Sequence, residues 1–196
     1  MGQNVANDDG ERASDPEALV REIDELRATI KSLEARIGQL DQLANQDPLV
    51  ELPNRRGFED ALAKVIARVQ RYREPAAMVF VDVDALKEIN DTFGHIAGDE
   101  ALIEISKLLL ASVRSTDCVA RLGGDEFGVL LERTDELSAW QMALRIVETV
   151  MGSEFCYAGK CLPLSVAVGV GVIKPGDDTK TVIERADKEM YRVKAA

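Results

Sequence analysis

An uninterrupted run of six apolar residues at positions 76–81, AAMVFV, places the strictest limit on the fold of this chain. A strand with one solvated face alternates apolar and polar side chains, whereas a run without alternation indicates a strand that is covered on both faces. Apolar residues at helical spacing occur before and after the run, so helices are available to cover it. The sequence therefore predicts a layered α+β domain.

Apolar periodicity and turn residues outline the other elements. Because helices and strands interleave, and because at least one pair of strands is joined by a tight turn, we expect a mixed central sheet flanked by helices. The predicted helices lie at about 57–73, 86–91, 98–113, 135–151 and 179–194, and the further strands at 118–122, 127–132 and 163–173, with a short hairpin strand near 155–157.

A heptad repeat before the domain predicts a parallel dimeric coiled coil. Its apolar residues follow one another in steps of four and three, with isoleucine at each a position and leucine at each d position, which favours two parallel strands. Glu22 and Arg36 would face Arg27 and Asp41 of a partner helix. The alternative is a single amphipathic helix packed on its own domain. The repeat consists of Leu19, Ile23, Leu26, Ile30, Leu33, Ile37 and Leu40.

Composition divides the chain into segments and limits the classes of partner that it can bind. Residues 1–14 are polar and are expected to form a disordered tail, residues 15–46 the coiled-coil helix, and residues 47–196 the folded domain. The net charge of −11 argues against binding to nucleic acid or to an anionic membrane, because both attract cationic surfaces. No signal peptide or long apolar stretch is present, so we expect a cytoplasmic protein.

The cysteines are expected to be reduced thiols. Cys118, Cys156 and Cys161 form no Cys-x-x-Cys pair, and a reducing compartment keeps such residues unpaired. Cys156 and Cys161 flank a predicted turn at YAGK, so a disulfide between them is the alternative interpretation.

Carboxylates stand at the ends of two predicted strands. Asp82 directly follows the apolar run, and Asp125 and Glu126 occupy the predicted turn of RLGGDEF. Gly-Gly-Asp is ordinary turn chemistry, and a solvated turn is the simplest interpretation. A carboxylate that follows a buried strand, however, needs water, a cation or a metal ion, and Mg²⁺ prefers such oxygen ligands. No Walker A, HExxH or GxSxG motif offers a different catalytic site.

Four motifs in this chain resemble those of the GGDEF family of diguanylate cyclases, over about residues 47–194. They are DPLVELPNRRGF, VDVDALKEINDTFGHIAGD, RLGGDEF and ERADKEMYRVK. The resemblance implies a nucleotidyl-cyclase-like fold and an enzyme that condenses two GTP molecules into cyclic di-GMP with release of two pyrophosphates. Each subunit of a homodimer would hold one GTP, so the coiled coil would bring two half-sites together. The alternative is a non-catalytic receptor for cyclic di-GMP or GTP.

The resemblance implies a metal site built on the same carboxylates. Asp82, the carbonyl of Val83, Asp125 and Glu126 would hold two Mg²⁺ or Mn²⁺ ions in each site. The ions would bridge the triphosphate and lower the pKa of the attacking 3′-hydroxyl. Either Asp125 or Glu126 would assist in removing the hydroxyl proton, and the sequence leaves this choice open.

Further positions match the substrate-binding residues of the family. A carboxylate can accept hydrogen bonds from N1–H and N2–H₂ of guanine together, which adenine cannot donate, so the resemblance implies selectivity for GTP. The phosphates would be bound by the amides of Ala85 and Leu86 and the side chains of Lys87 and Lys194, and guanine by Asn90 and Asp99.

An Arg-x-x-Asp string stands nine residues before the first glycine of the GGDEF motif. The resemblance implies that Arg114 and Asp117 form a product-inhibition site for cyclic di-GMP, with Arg145 as a further contact. Arginine suits phosphate and guanine because its guanidinium donates two parallel hydrogen bonds. The alternative is an ordinary charge pair at a helix end.

The first motif departs from the family at two positions. Val50 and Glu51 stand where Thr-Gly is more usual. We expect this difference to be a variation in packing with little effect on function.

Overall fold

The computed structural model describes residues 16–195, which form two compact units. The first unit ends at Gln42 and contains most of a long helix, α1 (Pro16–Asn45); the second begins at Leu43 and is the folded domain. The predicted tail at residues 1–14 lies outside the described residues.

The apolar side chains of the heptad repeat are exposed along α1. The exposed fraction rises from 42% at Leu19 to 64% at Ile37. The side chains of Leu40 and Asp41 are not among those described. An exposed apolar seam of this kind is the surface that a second helix would cover in a coiled coil. The helix is present where it was predicted, and its pairing remains a prediction.

The folded domain contains the predicted helices and strands in order, with boundaries that differ by a few residues, and one further short strand at Lys160–Leu162 that was not predicted. They are α2 (Arg55–Tyr72), β1 (Ala76–Val83), α3 (Leu86–Phe93), α4 (His95–Ser112), β2 (Cys118–Arg121), β3 (Glu126–Glu132), α5 (Glu136–Met151), β4 (Phe155–Tyr157), β5 (Lys160–Leu162), β6 (Val166–Val172) and α6 (Thr179–Lys194).

The main sheet has the strand order β2-β3-β1-β6, and β4 and β5 form a separate hairpin. Each neighbouring pair of the main sheet is antiparallel. The α+β prediction is confirmed, whereas the expected mixed sheet is corrected to an antiparallel one. The reason is the position of β3, which inserts between β1 and β2; these two strands run in the same direction but never pair.

Strand β1 is buried on both faces, as its apolar run predicted. Val79 and Val81 belong to a core cluster on one side of the sheet, and Met78 and Phe80 belong to a cluster on the other side. Helices α4 and α5 contribute to the first cluster, and α2 and α6 contribute to the second. No helix within residues 16–195 combines the length and the apolar character needed to cross a membrane.

Helix α6 packs directly on the backbone of β6. A Cβ atom at Gly169 would lie 2.1 Å from the amide nitrogen of Met190 and 2.2 Å from the carbonyl oxygen of Ala186. Because only a residue without a side chain permits this approach, α6 lies close enough to the sheet for its last residues to reach the end of β1.

The segment before α2 forms a wide turn. Asp47 accepts hydrogen bonds from the amides of Leu49 and Val50, and Val50 is buried in the core. Glu51 has a φ angle of 54°, in the left-handed region that favours glycine. The variation at these two positions therefore affects packing at Val50, as expected, and backbone strain at Glu51, which was not expected.

The hairpin of β4 and β5 contains a disulfide. Cys156 and Cys161 are direct cross-strand partners, and their sulfur atoms are bonded. The expectation of reduced thiols is therefore wrong for this pair, because the register of the hairpin places the two side chains opposite each other. Cys118 is free, and burial raises the pKa of its thiol.

Candidate active site

The predicted carboxylates meet where β1 ends and β3 begins. In the antiparallel register Asp82 lies directly opposite Glu126. The amide of Val83 donates a hydrogen bond of 2.9 Å to the carbonyl oxygen of Asp125, which continues the ladder past the paired residues. Two acidic segments that are distant in the sequence therefore lie side by side at one edge of the sheet.

The Gly-Gly turn brings the backbone close to the carboxylate of Glu126. A Cβ atom at Gly123 would lie 2.6 Å from Oε2 of Glu126, whereas one at Gly124 would meet nothing within 4 Å. Arg121 fixes the turn, because its guanidinium donates to the carbonyl oxygens of Gly123 and Gly124 at 3.1 and 2.8 Å and also contacts Asp47. A side chain at the first glycine would therefore displace the carboxylate of Glu126.

Glu126 is surrounded mainly by negative charge. Burial raises the pKa of its carboxyl most, and the charges of Asp125, Asp82 and Asp187 raise it further. The guanidinium of Arg55 acts in the opposite direction, with Nη2 lying 3.6 Å from Oε2 of Glu126. Arg55 and Asp187 stand within two of the motifs named from the sequence, but neither was assigned a role, because their effect on Glu126 depends on the packing of distant segments.

The ammonium group of Lys194 lies between two carboxylates at the end of β1. Nζ is 2.5 Å from Oδ1 of Asp82 and 3.2 Å from Oδ1 of Asp84, and the hydrogen bond to Asp82 is the main cause of the raised pKa of this lysine. Asp84 is held in turn by Ser165, whose hydroxyl donates to Oδ2 at 3.0 Å. Asp84 was not predicted as a site residue, although it stands two positions after Asp82.

The donor atoms suit a divalent cation, but they are not gathered around one point. Within residues 16–195, no group of three or more His, Cys, Asp or Glu side chains is arranged to hold a metal ion. The reason is visible in the contacts: Asp82 faces the ammonium of Lys194, and Glu126 faces the guanidinium of Arg55. An ammonium group between two carboxylates nevertheless shows that this edge of the sheet attracts cations, so its chemistry fits Mg²⁺ or Mn²⁺.

The turn after β1 has the geometry expected of a phosphate-binding segment. Ala85, with φ of 55°, is the N-cap of α3, and Leu86 begins the helix. The amides at the start of a helix have no partner within it and can bind anions. Lys87 follows on the exposed surface of α3. Three of the four predicted phosphate-binding residues thus lie on one turn beside Asp84, and the fourth, Lys194, approaches from α6.

The two predicted guanine-binding residues lie near the junction of α3 and α4. The side chain of Asn90 packs on Gly98, where a Cβ atom would lie 2.1 Å from Oδ1 of Asn90. Asp99 is the next residue after Gly98 and is exposed. The packing therefore brings Asn90 to the turn of α4 that carries Asp99.

Of the three residues of the predicted inhibitory site, two line a groove and the third bonds to the backbone. Arg114 and Arg145 line a groove of about 700 Å³ between α4 and α5. Asp117 instead accepts hydrogen bonds from the amides of Arg114 and Glu132, at 3.0 and 3.3 Å. The carboxylate of Asp117 therefore stabilises the turn, while the two arginines supply the groove with positive charge.

Comparison with known proteins identifies similar sequences over nearly the whole chain. A family profile described as "Diguanylate cyclase, GGDEF domain" matches residues 44–196. The chain is 32% identical over 180 residues to the diguanylate cyclase DgcP of Pseudomonas aeruginosa, covering 92% of this chain and 27% of DgcP. It is 36% identical over 177 residues to the diguanylate cyclase TpbB of the same species, covering 88% of this chain and 40% of TpbB. The chain thus spans less than half the length of these relatives.

Solved structures show the same architecture. The diguanylate cyclase SiaD of Pseudomonas aeruginosa, in complex with its activator SiaC, superposes with a TM-score of 0.76 at 30% identity, covering 91% of this chain and 68% of SiaD. The coiled coil and GGDEF domain of DgcB from Caulobacter crescentus, in complex with c-di-GMP, superposes with a TM-score of 0.82 at 24% identity, covering 91% of this chain and 95% of that one. The second likeness concerns the fold alone.

Proposed function

The chain belongs to the GGDEF domain family of diguanylate cyclases, and from this premise we propose that it condenses two molecules of GTP into cyclic di-GMP and two pyrophosphates. The observation that carries the proposal is the cross-strand pair of Asp82 and Glu126, with the ammonium of Lys194 beside it. Carboxylates that attract cations and a lysine that can bind phosphates are the two components that a triphosphate substrate requires.

We assign the metal-binding part of the reaction to Asp82, the Val83 carbonyl, Asp125 and Glu126. Two Mg²⁺ or Mn²⁺ ions held there would neutralise charge on the triphosphate and lower the pKa of the attacking 3′-hydroxyl. Asp125 or Glu126 accepts the hydroxyl proton as the oxygen attacks the α-phosphorus and pyrophosphate leaves. Before this step, as the nucleotide binds, Lys194 exchanges its contact with Asp82 for one with the phosphates.

The remaining substrate contacts fix the position of the nucleotide. The amides of Ala85 and Leu86 and the ammonium of Lys87 bind the phosphates, and Asn90 and Asp99 bind the guanine edge. The packing of Asn90 on Gly98 supports this assignment, because it brings the two guanine-binding residues to the same turn. Positioning of this kind supplies much of the rate enhancement in phosphoryl and nucleotidyl transfer.

A homodimer follows from the chemistry, because each subunit holds one GTP and the 3′-hydroxyl comes from the nucleotide of the other subunit. The exposed apolar seam of α1 supports pairing through a parallel coiled coil. The use of GTP is consistent with a cytoplasmic location, and the net charge of −11 disfavours nucleic-acid and membrane partners.

Feedback inhibition by cyclic di-GMP belongs to the same proposal. Arg114 and Arg145 line one groove, so two guanidinium groups are available to the phosphates and guanines of the product. The turn that presents Arg114 is stabilised by Asp117.

The first experiment incubates the protein with GTP and Mg²⁺ at several protein concentrations and separates the nucleotides by chromatography. We expect cyclic di-GMP, with a rate that rises more steeply than the protein concentration until the dimer is saturated. Glu126→Gln should bind GTP and lose about a hundredfold or more in turnover. Absence of product from the wild-type protein, together with tight binding of cyclic di-GMP, would favour the receptor alternative.

The dimer is tested separately by sedimentation. Replacing Ile23 and Ile30 with lysine puts like charges into the seam, so the variant should be monomeric at concentrations at which the wild-type chain is dimeric. Its cyclase rate should recover at high protein concentration, because the half-sites themselves are unchanged. A variant that remains dimeric would show that the seam does not hold the subunits together.

A further inference from the structure

Arg55 contacts both sides of the GGDEF turn. It is the first residue of α2, and the preceding residue, Asn54, caps the helix by accepting a hydrogen bond from the amide of Gly57. The Nε atom of Arg55 donates to the carbonyl oxygen of Leu122 at 3.0 Å, and Nη2 lies 3.6 Å from Oε2 of Glu126. One guanidinium therefore joins the residue before the glycines to the acid after them.

The backbone that carries Arg55, at the start of α2, is hydrogen-bonded to the pair of strands β2 and β3. The amide of Arg121 donates to the carbonyl oxygen of Pro53 at 2.9 Å, which ties the start of α2 to the end of β2. The amide of Leu122 donates to the carbonyl oxygen of Glu126 at 2.8 Å. Arg55 thus starts from a backbone that is held in register with the turn, and its reach to the carboxylate does not depend on a flexible loop.

The carboxylate of Glu126 lies among other acidic side chains, so a cation beside it is favourable. Its neighbours Asp125, Asp82 and Asp187 are all acidic, and Arg55 is the cation that opposes them. The carboxylate also lies over Gly123, where a Cβ atom would come within 2.6 Å of Oε2 and displace it. The turn on one side and the guanidinium on the other therefore limit the orientations that Glu126 can adopt.

An ordinary surface ion pair between Arg55 and Glu126 would not explain the hydrogen bond from Arg55 to Leu122. Such pairs contribute little to stability when both partners are exposed, and the side chain of Arg55 is 52% exposed. The hydrogen bond from Nε to Leu122 fixes the plane of the guanidinium, which a simple charge attraction does not require. The distance of 3.6 Å to Glu126 is longer than a charge-assisted hydrogen bond, so a stronger cation can replace this contact without breaking the anchor to Leu122.

We propose that Arg55 is a positioning residue that holds the carboxylate of Glu126 over the Gly-Gly turn and releases it to the metal ion. The inference rests on the proposed cyclase function, because that function makes Glu126 a metal ligand. Groups that orient a metal ligand typically change metal affinity or activity by about 10- to 100-fold when they are replaced.

The test replaces Arg55 with lysine, which keeps the charge but cannot donate to Leu122 and Glu126 with one planar group. Binding of Mn²⁺ is measured by the loss of the free-ion electron paramagnetic resonance signal, in the presence of the unreactive α,β-methylene analogue of GTP. We expect Arg55→Lys to weaken Mn²⁺ binding and to lower kcat about tenfold each, with KM for GTP nearly unchanged. Arg55→Gln removes the charge together with the planar guanidinium, so it should lower kcat at least as much as the lysine variant.

Arg56→Lys is the matched control, because Arg56 lines a cleft beside the GGDEF turn together with Arg55 and makes no contact with Glu126 among those described. Arg56→Lys should leave both the affinity for Mn²⁺ and kcat unchanged. Wild-type values in Arg55→Lys would overturn the proposal, because charge alone would then suffice, and so would a loss confined to KM. If the wild-type protein makes no cyclic di-GMP, the proposed function fails, and the Mn²⁺ comparison still decides whether Arg55 orients Glu126.

Discussion

The ammonium nitrogen of Lys194 lies 2.5 Å from Oδ1 of Asp82, although the two residues are 112 positions apart in the chain. The contact joins the last turn of α6 to the end of the central strand. A lysine that serves the phosphates in the proposed reaction therefore neutralises a metal ligand while the nucleotide is absent.

Lys194→Gln is expected to change the affinities for Mn²⁺ and for the nucleotide in opposite directions. Removing the ammonium should strengthen the binding of Mn²⁺ without nucleotide by about fivefold, equivalent to about 1 kcal/mol for unit charges 4 Å apart in water. The same change should weaken the binding of the α,β-methylene analogue of GTP. Calorimetric titration measures both affinities. Lys188→Gln, on the exposed surface of the same helix, is the control for net charge, and weaker Mn²⁺ binding by Lys194→Gln would contradict the prediction.

Gly98→Ala should raise KM for GTP by displacing Asn90. The added methyl group would lie 2.1 Å from Oδ1 of Asn90 and force that side chain to move. Loss of one hydrogen bond to guanine should raise KM by about three- to tenfold. The double variant Gly98→Ala/Asn90→Ala is the decisive comparison, measured by steady-state kinetics with GTP. Its KM should match that of Asn90→Ala alone; fully additive effects would mean that Gly98 acts independently of Asn90.

Arg114→Ala should weaken inhibition by cyclic di-GMP and leave the initial cyclase rate intact. Hydrogen bonds to a charged group contribute enough that the affinity for cyclic di-GMP should fall about tenfold or more. Arginine is the better residue to replace here, because Asp117 accepts two backbone hydrogen bonds and its loss would disturb the turn. Arg71→Ala, which removes an exposed arginine from α2, is the control. Unchanged affinity in calorimetry would remove Arg114 from the inhibitory site.

Glu51→Gly should stabilise the domain. The φ angle of 54° is strained for any residue with a Cβ atom, so relief of the strain should raise the free energy of unfolding by about 1 kcal/mol. Glu51→Ala keeps the Cβ atom and serves as the control. Urea unfolding at constant m-value measures both variants. Equal midpoints for the glycine and alanine variants would show that the backbone at this position carries no strain.

The pair of Asp177 and Arg185 should make stability depend on pH. The guanidinium of Arg185 bonds both carboxylate oxygens at 2.8 and 2.9 Å, and this contact lowers the pKa of Asp177. A lowered carboxyl pKa contributes stability above the unfolded value of about 3.9, and the contribution is lost as the pH falls through the folded value. Asp177→Asn should therefore reduce the free energy of unfolding by about 2 kcal/mol at pH 7.

The deficit of Asp177→Asn should narrow as the pH falls below about 4, because the carboxylate of the unfolded wild-type chain then takes up a proton, and the folded carboxylate follows only at its lower pKa. Thermal or urea unfolding from pH 7 to pH 3 follows the difference. Asp178→Asn, which changes the neighbouring N-cap carboxylate of α6, separates loss of the arginine pair from loss of the cap. A deficit for Asp177→Asn that is independent of pH would exclude the ion pair as its source.

Local sequence signals were sufficient for all helices and for most strands, and they singled out Asp82, Asp125 and Glu126. They missed β5 and the acidic residues Asp84 and Asp187. The apolar run before Asp82 predicted a strand that is buried on both faces, and the turn residues around Asp125 predicted a hairpin. Strand order was harder, because nothing in the local pattern indicates that β3 inserts between β1 and β2. The mixed sheet was wrong for that reason.

Contacts between distant segments account for the other differences. Arg55 stands 67 positions from Leu122, and its side chain meets the turn only through the packing of α2 beside β2. The disulfide of Cys156 and Cys161 depends on the register of a short hairpin, which a turn prediction does not fix within one residue. The strain at Glu51 is likewise a property of the folded turn, although the missing glycine was visible in the sequence.

The direct pairing of Asp82 with Glu126 gives this sheet an internal weakness. Like charges opposite each other on neighbouring strands oppose pairing, so the ladder between β1 and β3 contains a point of electrostatic repulsion at its last paired residues. A bound cation would convert that repulsion into cross-strand attraction and add its binding free energy to the stability of the folded chain. Binding of the nucleotide with its metal ion is then coupled to the stability of the central sheet, so the substrate strengthens the fold that binds it.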